Sequence, residues 1–193
     1  MSSFYSTQND LLLNNLMLFY KDTKNVEKML NIINGGSLIS LRIVDWFATN
    51  YAKKYYTVYD IENDVGSCAR FKVYNDYKLK LKAYSKKRFD PFCRWDRITI
   101  PYTPGINIQT TIGQLNFFKW AIENKVVKYI EDNYQLIQND MDNRNSSSRK
   151  KELSEDGGSA LKSQKTRKKR EELSILASKS IKKENVEIIV SFN

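Results

Sequence analysis

Residues 70–97 bring together two side-chain types that can hold a nucleic acid. Arg70, Lys72, Lys78, Lys80, Lys82, Lys86, Lys87, Arg88, Arg94 and Arg97 supply cations, interleaved with Tyr74, Tyr77, Tyr84, Phe89, Phe92 and Trp95. Cations neutralise phosphates and exposed rings stack on unpaired bases, so the block is a candidate phosphate-backbone interface. Two readings compete with it: a solvated helix face over ordinary core aromatics, and contact with an acidic protein. A second cluster, Arg167, Lys168, Lys169 and Arg170, follows Arg149, Lys150 and Lys151 upstream. Such runs serve as nucleic-acid arms, as nuclear-import signals or as solubilising linkers. Ser154 and Ser174 each follow one of these clusters, and phosphorylation there would lower the local charge.

Candidates for catalysis are weaker. Asp60-Ile61-Glu62-Asn63-Asp64-Val65-Gly66 opens like a calcium loop, but the glycine stands at position 7 rather than 6, and Phe71 fills position 12, where a glutamate is needed. It reads as an acidic hairpin turn. Asp64 with Asp76-Tyr77-Lys78 has the residue types of one metal-dependent nuclease centre, where carboxylates hold magnesium and a lysine steadies the attacking water. With 23 lysines in the chain, Asp-x-Lys arises easily by chance. Cys93, beside Phe92, reads as a buried thiol, because no histidine exists to activate it. Trp46 and Trp120 fall on amphipathic helices and read as core, which leaves Trp95, beside Arg94 and Arg97, as the tryptophan suited to base stacking.

Composition supports binding over catalysis. The chain has 193 residues, no histidine and two cysteines, Cys68 and Cys93. Imidazole bases, Ser-His-Asp triads, four-ligand zinc sites and disulfide frameworks are thereby excluded. The expectation is a non-enzymatic protein with no cofactor and no metal. Net charge is +10 and pI about 9.4, which favours an acidic partner such as DNA or RNA. The excess is localised: residues 61–100 carry +5 and residues 141–193 carry +5, while residues 1–60 carry +1 and 101–140 carry −1. Lys, Asn, Ile and Tyr together make up 70 residues against 7 Ala. All four have AT-rich codons, so part of the lysine content reflects the genome. No stretch approaches the roughly 20 apolar residues of a membrane helix, so no membrane association is expected. The start lacks a positively charged n-region, which argues against a secretory signal, and free thiols fit a reducing compartment.

The elements that must position these residues follow from periodicity. Asp10 can cap a helix through Tyr20, with Leu12, Leu13, Leu16 and Phe19 in its stripe. Thr23 can cap a second, which Gly35-Gly36 ends. Ser37 or Ser40 opens a third, carrying Leu41, Val44, Phe47, Ala48 and Tyr51. Residues 55–59 alternate as a strand, and a hairpin follows that ends near Asn75. Asp76 then caps a basic helix, which Asp90-Pro91 stops. Arg97–Tyr102 reads as a strand before a Pro104-Gly105 loop. Thr111 and Gln114 have capping-box spacing ahead of a helix burying Leu115, Phe118, Ala121 and Ile122. Val126, Val127, Ile130, Tyr134 and Ile137 continue the stripe to about Met141. The expected fold is α+β: N-terminal helices, a small antiparallel sheet and a C-terminal helical pair within residues 1–141. A basic flexible linker would follow over 142–170, then a helix/strand appendage over 171–193. Val186–Phe192 is β-prone and apolar, suited to pairing with the core or with a viral protein partner.

Three segments carry a family resemblance: Leu41-Arg42-Ile43-Val44-Asp45-Trp46-Phe47-Ala48-Thr49-Asn50-Tyr51-Ala52-Lys53-Lys54, Leu81-Lys82-Ala83-Tyr84-Ser85-Lys86-Lys87-Arg88-Phe89-Asp90-Pro91-Phe92-Cys93-Arg94, and Gly113-Gln114-Leu115-Asn116-Phe117-Phe118-Lys119-Trp120-Ala121-Ile122. With the closing Val186–Phe192 they resemble a poorly characterised protein family of nucleocytoplasmic large DNA viruses, the mimivirus relatives. The likeness covers residues 38–141 and 167–193. Trp95 stands where a second arginine after Arg94 is expected, one charge short. The resemblance implies no catalytic residue. It implies a viral protein in the host cytoplasm, in a viral factory or in the virion, with the host nucleus as a further destination. The functional expectation is phosphate-backbone binding through the basic-aromatic block and the basic arm. The alternatives are a structural or adaptor protein of the virion docking through its C-terminal strand, and the metal-dependent nuclease.

Overall fold

The computed structural model describes residues 7–62, 66, 68–155 and 182–185, with side chains described up to residue 146. Arg167–Arg170 and Val186–Phe192 lie outside the described residues. The architecture is α+β, as the periodicity implies.

Helix α1 (Gln8–Tyr20) starts one turn earlier than Asp10 suggests. Thr7 is its cap, and Asp10 closes a capping box by accepting the Thr7 backbone N–H at 2.9 Å. Helix α2 (Thr23–Asn34) is capped by Asp22 and ends at Gly35, whose left-handed φ of 75° favours glycine. Helix α3 (Leu41–Trp46) is capped by Ser40 and runs on through a π-helical turn (Phe47–Tyr51) into α4 (Ala52–Lys54). Tyr56, at φ 49°, turns the chain out of this helix. The first strand, β1 (Val58–Glu62), therefore begins three residues later than alternation from Tyr55 implies.

Strand β1 pairs antiparallel with β2 (Cys68–Lys72), from Val58↔Lys72 to Glu62↔Cys68. Helix α5 (Val73–Arg88) follows immediately. It starts at Val73 rather than after an Asp76 cap, because Asp76 is spent elsewhere: its Oδ1 accepts the Trp120 indole N–H at 2.6 Å. Ser85, at φ 59° and ψ 169°, kinks this helix one turn before its end. Strand β3 (Arg97–Thr103) and β4 (Ile106–Thr111) form a hairpin around Pro104-Gly105. Strand β5 (Lys182–Asn185) adds to the free side of β4, from Ile106↔Asn185 to Gln109↔Lys182. The segment just before Val186 thus pairs with this chain's own sheet.

Three helices complete the chain: α6 (Ile112–Glu123), α7 (Val126–Asp132) and α8 (Tyr134–Glu155). The stripe expected to run unbroken is interrupted at Lys125, φ 53°, and at Asn133. Helix α8 also runs past Met141, so residues 142–155 of the expected linker are helical. Composition misled here because local bonds replace apolar burial. Gln135 Nε2 donates to Asn139 Oδ1 at 3.0 Å and Gln138 Nε2 to Asp142 Oδ2 at 2.8 Å, both side-chain pairs at i and i+4.

Helix α6 sits at the centre, against α1, α2, α5, α7 and β4. Gly113 to Phe118 are all buried, and so are Trp120 and Ala121. Leu16, Met29, Phe47, Ile108, Ile130 and Ile137 surround it in one continuous core. Tyr20 donates its hydroxyl to the Leu115 carbonyl at 2.8 Å, and burial holds that phenol protonated far above its ordinary range. Tyr59 ties the first hairpin to the other end of α6 by donating to the Asn124 carbonyl at 2.7 Å, its ring stacked on Tyr129 at 5.0 Å.

Asp140 closes the structure across nearly ninety residues of sequence. Its carboxylate accepts from Trp46 Nε1 at 3.2 Å, from the Tyr55 hydroxyl at 3.0 Å and from Lys54 Nζ. Burial pushes this carboxyl up, but the hydrogen bonds from Lys54, Tyr55 and Trp46 outweigh it and hold the group below the usual carboxylate range. A depressed native pKa stabilises the fold above about pH 3.9, and that contribution is lost as pH falls through the native value. Asp140→Asn is expected to cost about 1–3 kcal/mol at pH 7, the range for leaving buried donors badly paired. In urea melts the gap between variant and parent should narrow as the buffer drops from pH 7 towards pH 3. A gap that stays constant or widens would show that the charge of Asp140 contributes nothing.

Candidate nucleic-acid interface

The segment from Lys87 to Cys93 is fastened to the buried start of α6 by polar contacts. Thr111 caps α6 by accepting the Gln114 N–H at 3.2 Å. The Gln114 side chain does not serve the cap alone. It donates to the Pro91 carbonyl at 3.0 Å and accepts from Thr110 Oγ1 at 3.2 Å. Asn116 Nδ2 donates to the Arg88 carbonyl at 2.9 Å, and the Asp90 N–H to the Gly113 carbonyl at 3.3 Å. Gly113 is required by contact rather than by conformation. A Cβ there would lie 2.9 Å from Cys93 Cβ and 3.0 Å from the Lys87 carbonyl oxygen. Cys93 is buried against this glycine, as its apolar setting in the sequence implies.

This clasp sorts the aromatics of the basic block. Tyr77 and Phe89 are buried, with Phe89 5.5 Å from Phe117 and 5.7 Å from Trp120. Tyr84 lies stacked on Phe89 at 6.3 Å, and Tyr74 and Phe92 pack on the core's edge. Trp95 is 73% exposed. Five of the six rings therefore serve packing, and Trp95 is the one presented to solvent. Trp120 is buried and Trp46 packs against the core, in agreement with their helical spacing.

The cations are sorted as well. Lys78 and Lys82 lie one turn apart on the exposed face of α5, beside Leu79. Lys72 precedes this face, and Lys86 follows it past the Ser85 kink; both are exposed. Among the described residues none of these four makes an ion pair. Arg94, beside Trp95, is exposed too. Lys80 departs from the face: it is half-buried and lines a cleft between α1, α5 and α6. Three others are engaged. Lys87 pairs with Asp96 at 3.3 Å, Arg88 donates to Gln8 at 3.3 Å, and Arg97 donates to Gln109 at 2.8 Å. Arg70 stands apart on the first hairpin, 4.0 Å from Asp60. Arg149–Lys151 belong to the last turns of α8.

Sequence reading missed Tyr55 and Tyr56, which are 52% and 67% exposed. Tyr56 and Lys72 line one shallow hollow at the start of α5, together with Tyr74 and Asn75. The signal was present as an aromatic pair directly after Lys53-Lys54, but alternation with Thr57 and Tyr59 made it look like strand. The nuclease arrangement is not assembled where it can be judged. Asp76 is bonded to Trp120, while Lys78, two residues on, points roughly 200° around the helix. Asp64 lies outside the described residues. No group of three or more His, Cys, Asp or Glu side chains suited to a metal occurs among the described residues, and none of their helices is long and apolar enough to cross a membrane.

Residues 1–192 match the model of a family of unknown function, DUF7197. The chain is also 48% identical over 132 residues to the uncharacterised protein L507 of Acanthamoeba polyphaga mimivirus, a match that covers 66% of this chain and 51% of the relative. The chain thus spans about half the length of that curated relative. No solved structure matches. The chain belongs to this family of large DNA viruses, which bears out the resemblance carried by the three quoted segments.

The clasp makes Gly113 a position where one methyl group is felt. Gly113→Ala is expected to destabilise by about 1–3 kcal/mol, the range for overpacking. That is a drop in Tm of roughly 2–4 °C per kcal/mol at this size. Gly35→Asn, at a left-handed position with open space around it, should cost less. Calorimetry on both variants checks the order, and the reverse order would refute the clasp.

Proposed function

We propose that this protein is a non-enzymatic, nucleic-acid-associated protein of a large DNA virus, which grips the phosphate backbone with the outer face of α5. The observation that carries this reading is the set Lys72, Lys78, Lys82 and Lys86, exposed from the end of β2 along α5 and past its kink, without ion-pair partners among the described residues. Lysines without an ion pair keep their full charge for phosphate, whereas the charge of Lys87 is offset by Asp96 and the guanidinium groups of Arg88 and Arg97 are held by Gln8 and Gln109. Lys78 and Lys82 are about 6 Å apart along the helix axis. Exposed rings flank the row at both ends, Tyr55 and Tyr56 before α5 and Trp95 after it. Rings at the ends of a cationic row suit a single strand, whose bases are free to stack. The basic arm Arg167–Arg170 adds sequence-independent affinity. The reading places the protein with viral nucleic acid in the host cytoplasm, in a viral factory or in the virion, with the host nucleus as a further destination.

Mobility shifts with single- and double-stranded DNA and RNA at 50 and 200 mM salt test the reading. Binding should weaken steeply with salt. Replacing both Lys78 and Lys82 by Ala should lower the slope of log K against log salt by about 1.4 for a single strand. Trp95→Ala should weaken single-strand binding about 5- to 150-fold, the equivalent of one lost stack of roughly 1–3 kcal/mol. Salt-insensitive binding, or none at 50 mM, would refute the proposal.

A further inference from the structure

The cleft between α1, α5 and α6 has about 210 Å³ of space, below the roughly 300–1,000 Å³ of pockets that take a whole drug-sized ligand. A space of this size suits one small ring with its substituents. Its walls mix acceptors and donors. Asn116 is 7% exposed and spends its Nδ2 on the Arg88 carbonyl, so its Oδ1 has no protein partner among the described residues. No fully buried side-chain nitrogen or oxygen among those residues lacks a partner. The Asn116 oxygen is therefore not sealed in, and it opens on the cleft that Asn116 lines. Asn124 is arranged the same way: its Nδ2 donates to the Trp120 carbonyl at 2.8 Å and its Oδ1 is left to accept. Asn15 is the reverse. Its Oδ1 accepts from Lys119 Nζ at 3.3 Å, and its Nδ2 is left to donate.

A ligand whose donors and acceptors are fixed has to match such a wall group by group. A hydroxyl both donates and accepts, so a ligand built of hydroxyls satisfies this lining in either direction. Tyr84, held against Phe89 at an interplanar angle of 25°, adds a ring on which the C–H face of such a ligand can lie. Charge narrows the class. Lys119 pairs with Glu123 at 3.1 Å, whereas Lys80 is half-buried and makes no ion pair among the described residues. The lining thus carries one surplus positive charge, which suits a ligand with one acidic group.

We infer that this cleft binds a monosaccharide unit bearing one acidic group, with its hydroxyls on Asn15, Asn116 and Asn124 and its carboxylate or phosphate on Lys80. The inference goes beyond the nucleic-acid reading and does not depend on it. Lys80 stands roughly 200° around α5 from Lys78 and from Lys82, so the two sites lie on different sides of the helix.

Nuclear magnetic resonance titrations of the isotope-labelled full chain with glucuronate, glucose-6-phosphate and glucose, at millimolar concentrations suited to a weak single-ring ligand, test this. Acetate and inorganic phosphate are the control anions, and the two acidic sugars separate a carboxylate source from a phosphate source. Saturable shifts of the side-chain amide signals of Asn15, Asn116 and Asn124 are expected. At least one acidic sugar should bind about two- to fivefold tighter than glucose, the effect of one partly exposed charge pair. Lys80→Met should remove that advantage and leave glucose binding unchanged. Asn15→Leu, at an exposed position, should weaken all three sugars at least about twofold, the loss of one modest hydrogen bond. Thermal melts establish that the variants fold, and Lys80→Met decides the matter if Asn15→Leu does not. Absence of a saturable shift with every sugar, acetate or phosphate binding as tightly as the sugars, or an acidic-sugar advantage that survives Lys80→Met overturns the site. Each of these results leaves the backbone reading to its own salt series, and failure of that series leaves the cleft untouched.

Discussion

A helix whose start is buried must satisfy the polar groups there inside the protein, and α6 is such a helix. Its first turn and a half presents backbone N–H groups and the buried side chains of Gln114 and Asn116 to the protein. Left unpaired, each would cost on the order of 1–3 kcal/mol. The chain meets the demand by bringing the 88–93 segment against that turn. Its carbonyls at Arg88 and Pro91 accept the two amides, and Thr111 caps the helix. Most other placements follow from this. Phe89 enters the core only because its neighbours are fixed by backbone contacts, and the indole of Trp120 finds Asp76 because α5 is held alongside.

The same constraint shapes the surface. Residues 61–100 hold +5 of the charge, but the clasp turns the segment so that all its rings but Trp95 pack against the core and its lysines, apart from half-buried Lys80, face outward. The cations near the clasp become structural, paired with Asp96, Gln8 or Gln109. Those farther along α5 stay free. In the proposed reading, a cationic face fixed to a packed helix has little backbone freedom to lose on binding, which favours affinity at a given charge.

Much of this was legible in the sequence, and the failures have identifiable causes. The helix stripes, the Gly35 stop, the Thr111 cap and the β3–β4 hairpin all followed from local chemistry, which neighbours in sequence decide. The start of α5 did not, because Asp76 looks like a cap and is instead claimed by Trp120, 44 residues away. Tyr56 was hidden by its positive φ, and the length of α8 by side-chain pairs that apolar counting ignores. Within the candidate interface, the sequence showed which residues are cationic or aromatic, but not which of them the fold consumes. That division depends on partners 9 to 80 residues distant, such as Asp96 for Lys87 and Gln8 for Arg88.

The Ser85 kink connects these two scales. A serine at φ 59° and ψ 169° occupies a region that essentially only glycine visits freely, at a cost of about 1–3 kcal/mol. Such a conformation persists only where its surroundings over-determine it. Here they do: Tyr77 and Tyr84 anchor the helix before the bend, and Arg88 to Cys93 anchor the chain after it. A straight continuation of α5 would carry Phe89 past Phe117 and Trp120 and lift the 88–93 carbonyls from Gln114 and Asn116. The strain at Ser85 is thus offset by the clasp, and its effect is to set the angle between the lysine face of α5 and the Arg94–Trp95 edge. The demand that buries α6 and the geometry of the outer surface are therefore two consequences of one set of contacts.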